Sequence, residues 1–305
     1  MQNQLLIIKA IKTMKIIVTG SLGNISKPLT EILVKAGHDV TVISHDQAKA
    51  DKITALGAKP AIGSLDDVAF MTETLTGADA AYLMIPPGYE AQDMYEVTTG
   101  IGEGYIKAIK DSGIKKIVFL SSIGSHHEGK TGPIKAIGVI ERKLFELDGV
   151  DVKSLRPGFY FTNYLDNVDM VKNGGILGSN YPGNDTMVLT HPRDNARVAA
   201  EELQNGFTGK SYRYVATDER TNNEIAAALG KAIGKPALPW VEFNDEDNYK
   251  GMVQAGLPEE MSRQYTEMGA AVRSRILFED FDKKKEFVKN GTKLEDFANE
   301  FAKAF

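Results

Sequence analysis

The sequence predicts an α/β fold, a doubly wound parallel sheet with a smaller C-terminal α+β region beside it. Three observations predict this. Short β-branched apolar runs alternate with helical patterns from Lys15 to Gly158, the order that builds parallel βαβ units. Most of those runs are nearly continuous in apolar character, as strands covered on both faces require. The first run ends in a glycine turn that opens at once into a helix.

That turn lies in Lys15-Ile16-Ile17-Val18-Thr19-Gly20-Ser21-Leu22-Gly23-Asn24-Ile25-Ser26. Beyond it, Ile25, Leu29, Ile32 and Leu33 share one helical face. A strand, a glycine turn and a helix N-terminus together present backbone N–H groups to a phosphate. Gly20, Ser21, Leu22, Gly23, Asn24 and Ile25 are therefore the candidate cradle for a dinucleotide pyrophosphate. The spacing is Gly-x-x-Gly-x-x-Ser rather than the common Gly-x-Gly-x-x-Gly. Glycines in such a turn can also serve only to relieve backbone strain. The position, between the first strand and its helix, is what favours the phosphate reading.

The remaining elements follow in order. Gly37 ends the first helix, and Asp39 to Ile43 reads as a second strand, closed by Ser44-His45-Asp46. A helix is expected from Gln47 to Leu56, then a short strand around Pro60 to Ile62. Ser64 and Asp67 form a capping-box pattern for a helix through Leu75. Ala80 to Ile85 is a fourth strand, stopped by Pro86-Pro87-Gly88. A helical pattern runs from about Ala91 to Lys110, a fifth strand from Lys116 to Leu120, a helix from Ile134 to Leu147 and a sixth strand from Val152 to Leu155. This is a Rossmann-type arrangement. The expected organisation is an extension over residues 1–13, a dinucleotide-binding domain over 14–158 and a smaller substrate-binding region over 159–305, interleaved with the sheet. In that last region helices are expected near Asp194 to Gln204, Asn222 to Ile233, Asp245 to Ala255 and Leu294 to Phe305.

Composition narrows the function classes. The 305 residues carry 36 basic and 41 acidic side chains, a net charge of -5, which argues against nucleic-acid binding. The chain has no cysteine, so disulfides, thiolate metal sites and cysteine nucleophiles are excluded. A cytoplasmic location fits that usage. Leu5 to Ile11 is apolar but too short to span a bilayer, and no small-residue cleavage site follows it. No membrane association is expected.

Four stretches carry a family resemblance: Gly20 to Ser26, Ser121-Ser122, Leu155-Arg156-Pro157-Gly158-Phe159-Tyr160-Phe161-Thr162-Asn163, and Ala255-Gly256-Leu257-Pro258 with the helix after it. In this order the chain resembles the NmrA-like family, an atypical branch of the short-chain dehydrogenase/reductase superfamily. The resemblance implies a Rossmann fold, a nicotinamide dinucleotide and one of two roles. Members include NADPH-dependent quinone, azo-dye and triphenylmethane reductases. Others are redox-sensing regulators that bind cofactor without turning it over.

The resemblance also assigns cofactor positions. In NADP-binding relatives a basic residue follows the second strand, with another a few positions on; His45 and Lys49 fall there, after Ser44. Asp46 pulls toward NAD, because a carboxylate suits free ribose hydroxyls. NADP(H) is the expected cofactor and NAD(H) the alternative. Ser64 and Leu65 fall at the adenine, and Met84, Ile85 and Pro86 beside the nicotinamide ribose. Ser121 and Ser122 complete the set.

Alcohol-active relatives carry Tyr-x-x-x-Lys on the helix after the fifth strand, where lysine lowers the tyrosine pKa for proton transfer. No tyrosine here is followed by lysine four residues on. With Glu141 aligned to a glutamate common on that helix, the two places hold Pro133 and Ile137, which cannot move protons. Hydride transfer survives this loss, since the cofactor carries that chemistry. Ser122, Tyr160 and His126 are the weak catalytic candidates, and Phe159, Tyr160 and Phe161 the expected pocket walls, with core packing the competing reading for the aromatics. A solvated loop is the first reading for His126 and His127, a structural turn with Asp194 near a cap for His191, and a solvated face with a few buried aromatics for Phe278 to Lys285. No histidine–carboxylate spacing suggests a metal. A small-molecule electron acceptor is the expected partner, with a homodimer or a regulatory protein partner as further options.

Overall fold

The computed structural model describes residues 13–88 and 91–305. The expected N-terminal extension, apart from Thr13, lies outside the described residues. The first half contains β1 (Lys15–Val18), α1 (Ser26–Lys35), β2 (Asp39–Ser44), α2 (Ala50–Ala55), β3 (Lys59–Ile62), α3 (Val68–Leu75), β4 (Ala80–Leu83), α4 (Met94–Ser112), β5 (Lys116–Leu120), α5 (Ile134–Phe145) and β6 (Asp151–Pro157). The second half contains β7 (Phe159–Tyr160), β8 (Leu177–Ser179), β9 (Thr186–Thr190), α6 (Pro192–Asn205), β10 (Lys210–Val215), β11 (Asp218–Thr221), α7 (Asn222–Ala232), β12 (Trp240–Glu242), α8 (Asp245–Gln254), α9 (Glu259–Arg273), α10 (Glu279–Lys284) and α11 (Leu294–Phe301).

Seven parallel strands form the main sheet in the order β3-β2-β1-β4-β5-β6-β10. Successive side chains along a strand face opposite ways, and both faces are covered. Ile16, Val18, Val40, Val42, Tyr82 and Leu155 pack with Leu29 and Leu33 of α1 and Val198 of α6. Ile17, Ile43, Leu83, Phe119 and Val152 pack with α3, α4 and α5 on the other face. A third core joins β9, α7, α9 and α11 around Leu189, Ile225, Val272, Phe297 and Phe301. Within it lies a small sheet in the order β11-β9-β7, and β12 pairs with β8.

Several expectations are corrected. β10 was not legible: Lys-Ser-Tyr-Arg-Tyr-Val is an edge strand whose first residues are partly wet, so it lacks the continuous apolar run of the inner strands. Ser64 does not cap α3; Asp67 does, accepting from the Phe70 N–H at 3.1 Å. The segment from Gln47 opens as a 3-10 turn before α2. Gly158 is needed for close approach, because a Cβ there would lie 2.5 Å from the Val188 carbonyl oxygen of β9. His191 is itself the cap of α6, its Nδ1 accepting from the Arg193 N–H at 3.1 Å. Asp194 instead ties α6 to the C-terminal region, accepting from the Thr292 N–H at 2.9 Å.

At the β6–β10 edge the polar interior is organised around Arg156. Its Nε lies 3.2 Å from each Glu141 carboxylate oxygen, and Nη2 also donates to Oε1. Its Nη1 lies 3.5 Å from Asp280 Oδ2. Tyr212 and Tyr214 of β10 donate to that same oxygen at 2.8 and 2.7 Å. The guanidinium lies 3.8 Å from the Tyr212 ring centroid, a favourable cation–π distance. Glu141 and Arg156 are 1% and 5% exposed. Asp280 therefore does not sit on a merely solvated face, which corrects the reading of Phe278 to Lys285.

Two outcomes follow. Glu141→Ala leaves Arg156 buried with one weaker counter-charge, so it should cost on the order of 3 kcal/mol in urea unfolding. A cost within the range of exposed ion pairs would contradict the central role of this pair. The second concerns His191, whose Nε2 lies 3.1 Å from Glu300 Oε2. Burial lowers its pKa below 6.5, against the raising effect of Glu300. Its contribution is thus full above the unfolded value and is lost as pH falls through the folded one. Unfolding titrations from pH 7.5 to 5 should show that decline, and His191→Asn should flatten it.

Candidate functional site

The glycine turn lies at the carboxyl end of β1, where the strand order reverses between β1 and β4. Crevices at such reversals are where open α/β sheets bind ligands. Gly20 has φ +91° and Ser21 φ +54°, so the chain passes through two consecutive left-handed residues. A Cβ on Gly20 would meet Ser26 Oγ at 2.4 Å and Met84 Cγ at 3.0 Å. The turn closes through the Gly23 N–H to the Gly20 carbonyl, 3.1 Å. Ser26 Oγ donates to the Thr19 carbonyl at 2.7 Å and fastens α1 to β1. No side chain caps α1, and its first turn holds no acidic residue; the Lys27 N–H is taken by the Gly23 carbonyl at 3.0 Å, so an anion would meet the N-terminal field and the N–H groups ahead of Lys27.

The end of β2 is tied to this turn. Ser21 Oγ donates to Ser44 Oγ at 2.9 Å, and the Asp46 N–H donates to Ser44 Oγ at 3.2 Å. Asp46 Oδ1 accepts from the Ala48 N–H at 2.9 Å, so this carboxylate is engaged in its own turn. His45 is exposed and Lys49 half-buried on the same loop. Ser64 is exposed and Leu65 half-buried after β3. Leu22 and Ile25 pack partly against the core beneath α1.

At β4, Met84 is half-buried, Ile85 buried and Pro86 exposed. The Met84 N–H donates to Thr19 Oγ1 at 2.7 Å, and Tyr105 of α4 donates to the Met84 carbonyl at 2.8 Å. Neither Thr19 nor Tyr105 was picked out from sequence. Thr19 directly precedes Gly20, a signal that was available; Tyr105 sits 21 positions beyond Met84 and gave none.

The structure separates the remaining candidates. Ser121 is buried and bonds Ser125 Oγ at 2.9 Å, whereas Ser122 is half-buried. Phe159 packs on Tyr164, ring centroids 5.3 Å apart. Asn195 Nδ2 donates to Tyr160 Oη at 2.7 Å, and burial raises the Tyr160 pKa. Phe161 has no exposure and stacks on Phe297 at 5.5 Å, so it is core. His126 does not lie in a solvated loop: both ring nitrogens are buried, with no protein partner. Burial first, then Arg156, lowers its pKa. His126 lies in the loop between β5 and α5 that also carries Ser121 and Ser122. His127 Nδ1 accepts from the Gly129 N–H at 2.8 Å. Pro133 precedes the first residue of α5, and Ile137 packs in the interior.

Between the segment after β4 and the α8–α9 pair lies a cavity of about 430 Å³, lined by Ala91, Gln92, Tyr249, Pro258 and Arg263 among others. Helix α9 approaches the sheet's carboxyl end, where Glu267 accepts from the Gly132 N–H at 3.1 Å. No helix among the described residues is long and apolar enough to cross a membrane.

Comparison with known proteins supplies the context. The family pattern that matches is that of the NmrA-like family, over residues 12–298. An NADPH-dependent quinone oxidoreductase of Escherichia coli superposes with a TM-score of 0.77 at 22% identity, covering 93% of this chain and 98% of its own. The triphenylmethane reductase of Citrobacter sp., crystallised with NADP(H), gives 0.80 at 18% identity, over 94% and 99%. A nitrogen metabolite regulation-like protein of Gibberella fujikuroi is 24% identical over 304 residues, 88% of this chain and 89% of its own.

Gly20→Ala tests the cradle directly. The positive φ and the contact with Ser26 Oγ should abolish measurable dinucleotide binding in calorimetry. Unchanged binding would show that the turn does not hold the phosphates.

Proposed function

This chain belongs to the NmrA-like family, and on that premise we propose that it binds NADPH and reduces a quinone or another conjugated acceptor. One observation carries the binding half: an uncapped helix N-terminus faces a two-residue left-handed turn at the sheet's reversal point. Backbone N–H groups of Leu22, Asn24 and Ile25 hold the pyrophosphate there, that of Gly23 being taken by the Gly20 carbonyl. His45 and Lys49 meet the 2′-phosphate. Preference for NADPH over NADH is supported by Ser44 at the strand end, where an acidic residue would favour NAD, and by the Asp46 carboxylate being held in its own turn. Ser64 and Leu65 border the adenine, and Met84, Ile85, Pro86, Ser121 and Ser122 the nicotinamide half.

When bound, the reduced nicotinamide supplies hydride. A conjugated acceptor takes that hydride and one proton, which water can deliver, so the protein needs no proton relay. Phe159, Tyr160 and the cavity beside Tyr249 orient the acceptor, residues 159–305 forming its wall. His126 keeps both ring nitrogens buried, and no proton is routed through it. Ser122 and Tyr160 remain as donors toward the acceptor or the nicotinamide ribose.

A second reading has its own support. Pro133 and Ile137 occupy the places of the proton-transfer pair, and a relative carries the name of a nitrogen metabolite regulation-like protein. On that reading the chain senses the NADP+/NADPH ratio and passes it to a protein partner. It requires different affinities for the two redox forms, since a ligand without differential interaction shifts nothing.

Both readings meet in one experiment. Purified protein is titrated with NADPH, NADP+, NADH and NAD+, and then NADPH oxidation is followed across a quinone panel. Acceleration by a quinone is the expected result. No acceleration with tight, redox-selective binding overturns the reductase in favour of the sensor. Lys49→Gln should weaken NADPH but not NADH by roughly fivefold, the size of one exposed ion pair.

A further inference from the structure

The NADPH reading just given leaves Tyr105 without a role, although its hydroxyl reaches the carboxyl end of β4 from the far face of the sheet. Tyr105 has no exposure and lies midway along α4, which covers the β4–β5 side. Its Oη donates to the Met84 carbonyl at 2.8 Å. The other side of the same residue is held by Thr19 Oγ1, which accepts from the Met84 N–H at 2.7 Å. Thr19 in turn lies 3.2 Å from the Tyr82 carbonyl. Both polar groups of the Met84 backbone are thus held by buried hydroxyls, one from each side of the switch point.

Met84 is where that grip matters. Its side chain stands 3.0 Å from the position a Cβ on Gly20 would take, so it forms the floor of the glycine turn. The Thr19 hydroxyl also lies 3.4 Å from the Met84 carbonyl, so a carbonyl released from the shorter Tyr105 bond keeps only this longer contact or turns toward water. Turning that carbonyl rotates the Met84–Ile85 peptide and shifts the floor of the turn with it. Tyr105 touches no ligand. It acts through the Met84 backbone.

We propose that Tyr105 is a positioning residue for the dinucleotide: its hydroxyl sets the Met84 peptide and so the nicotinamide side of the cleft. The inference rests on NADPH being the ligand.

The test is Tyr105→Phe, which keeps the ring and removes one hydroxyl. NADPH affinity is measured by fluorescence or calorimetry, with thermal unfolding of the ligand-free protein in parallel. Adenosine 2′-phosphate, which reaches only the His45–Lys49 end, is measured by ligand-observed NMR. Expected are NADPH binding weakened roughly tenfold, about the effect of one lost buried hydrogen bond, and adenosine 2′-phosphate binding unchanged. Unchanged NADPH affinity, or equal weakening of both ligands, overturns the positioning role. Failure of the wild-type protein to bind NADPH overturns the cofactor reading instead. Should Tyr105→Phe unfold, Thr19→Val and Thr19→Ser address the opposite grip on Met84: the valine variant should lose NADPH affinity and the serine variant retain it. Equal affinities in those two would also overturn the role.

Discussion

A guanidinium almost without access to water must keep its counter-charges, because an unpaired buried charge costs several kcal/mol. Arg156 meets that constraint with partners from three elements. Glu141 comes from α5, Asp280 from α10, and Tyr212 and Tyr214 of β10 hold Asp280 in place. Burial opposes the charge on Asp280, yet those two hydroxyls and the Lys284 ammonium keep its carboxyl below the usual range. One buried cation thereby joins the sheet, a helix of the N-terminal half and a helix of the C-terminal half. The segment Leu155 to Asn163 leaves β6 directly from this anchor, so the placement of Phe159 and Tyr160 depends on it.

The cleft itself depends on a second, weaker set of bonds. Ser21–Ser44 ties the turn to β2, Ser26–Thr19 ties it to α1, and Thr19–Met84–Tyr105 ties it to β4 and α4. Each ties a strand end to a neighbouring strand or helix through a hydroxyl. Hydroxyls serve here because they can donate and accept within one short reach. The result is a rim around the backbone N–H groups of Leu22, Asn24 and Ile25 just ahead of α1, whose Lys27 N–H is itself taken by the Gly23 carbonyl. Preorganised N–H groups of that kind favour an anion without reordering when it arrives.

Legibility from sequence followed locality. The strands β1 to β6 and the helices between them were readable because each carries its own apolar period. The glycine turn was readable because φ > 0 at Gly20 demands glycine. β10 was hidden by its edge position, which relaxes the apolar pattern. His126 was misjudged because two adjacent histidines in a Gly/Ser loop read as solvated, while its ring nitrogens are buried. Asp280 was misjudged in the same way, since a run of charges normally faces water and only its neighbours on β6 and β10 say otherwise.

What the sequence determined by itself is therefore the α/β alternation, the glycine turn between the first strand and its helix, the absence of cysteine chemistry and the absence of any Tyr-x-x-x-Lys spacing. These are properties of short stretches, where a few side chains and their period suffice. The tertiary structure decided which hydroxyls hold the strand ends, that Asp46 is occupied as a cap, that Phe161 is core and that the His126 ring nitrogens are buried. Each of those depends on residues far apart in the chain meeting at one end of the sheet, and the closure of long loops that brings them together leaves no local trace.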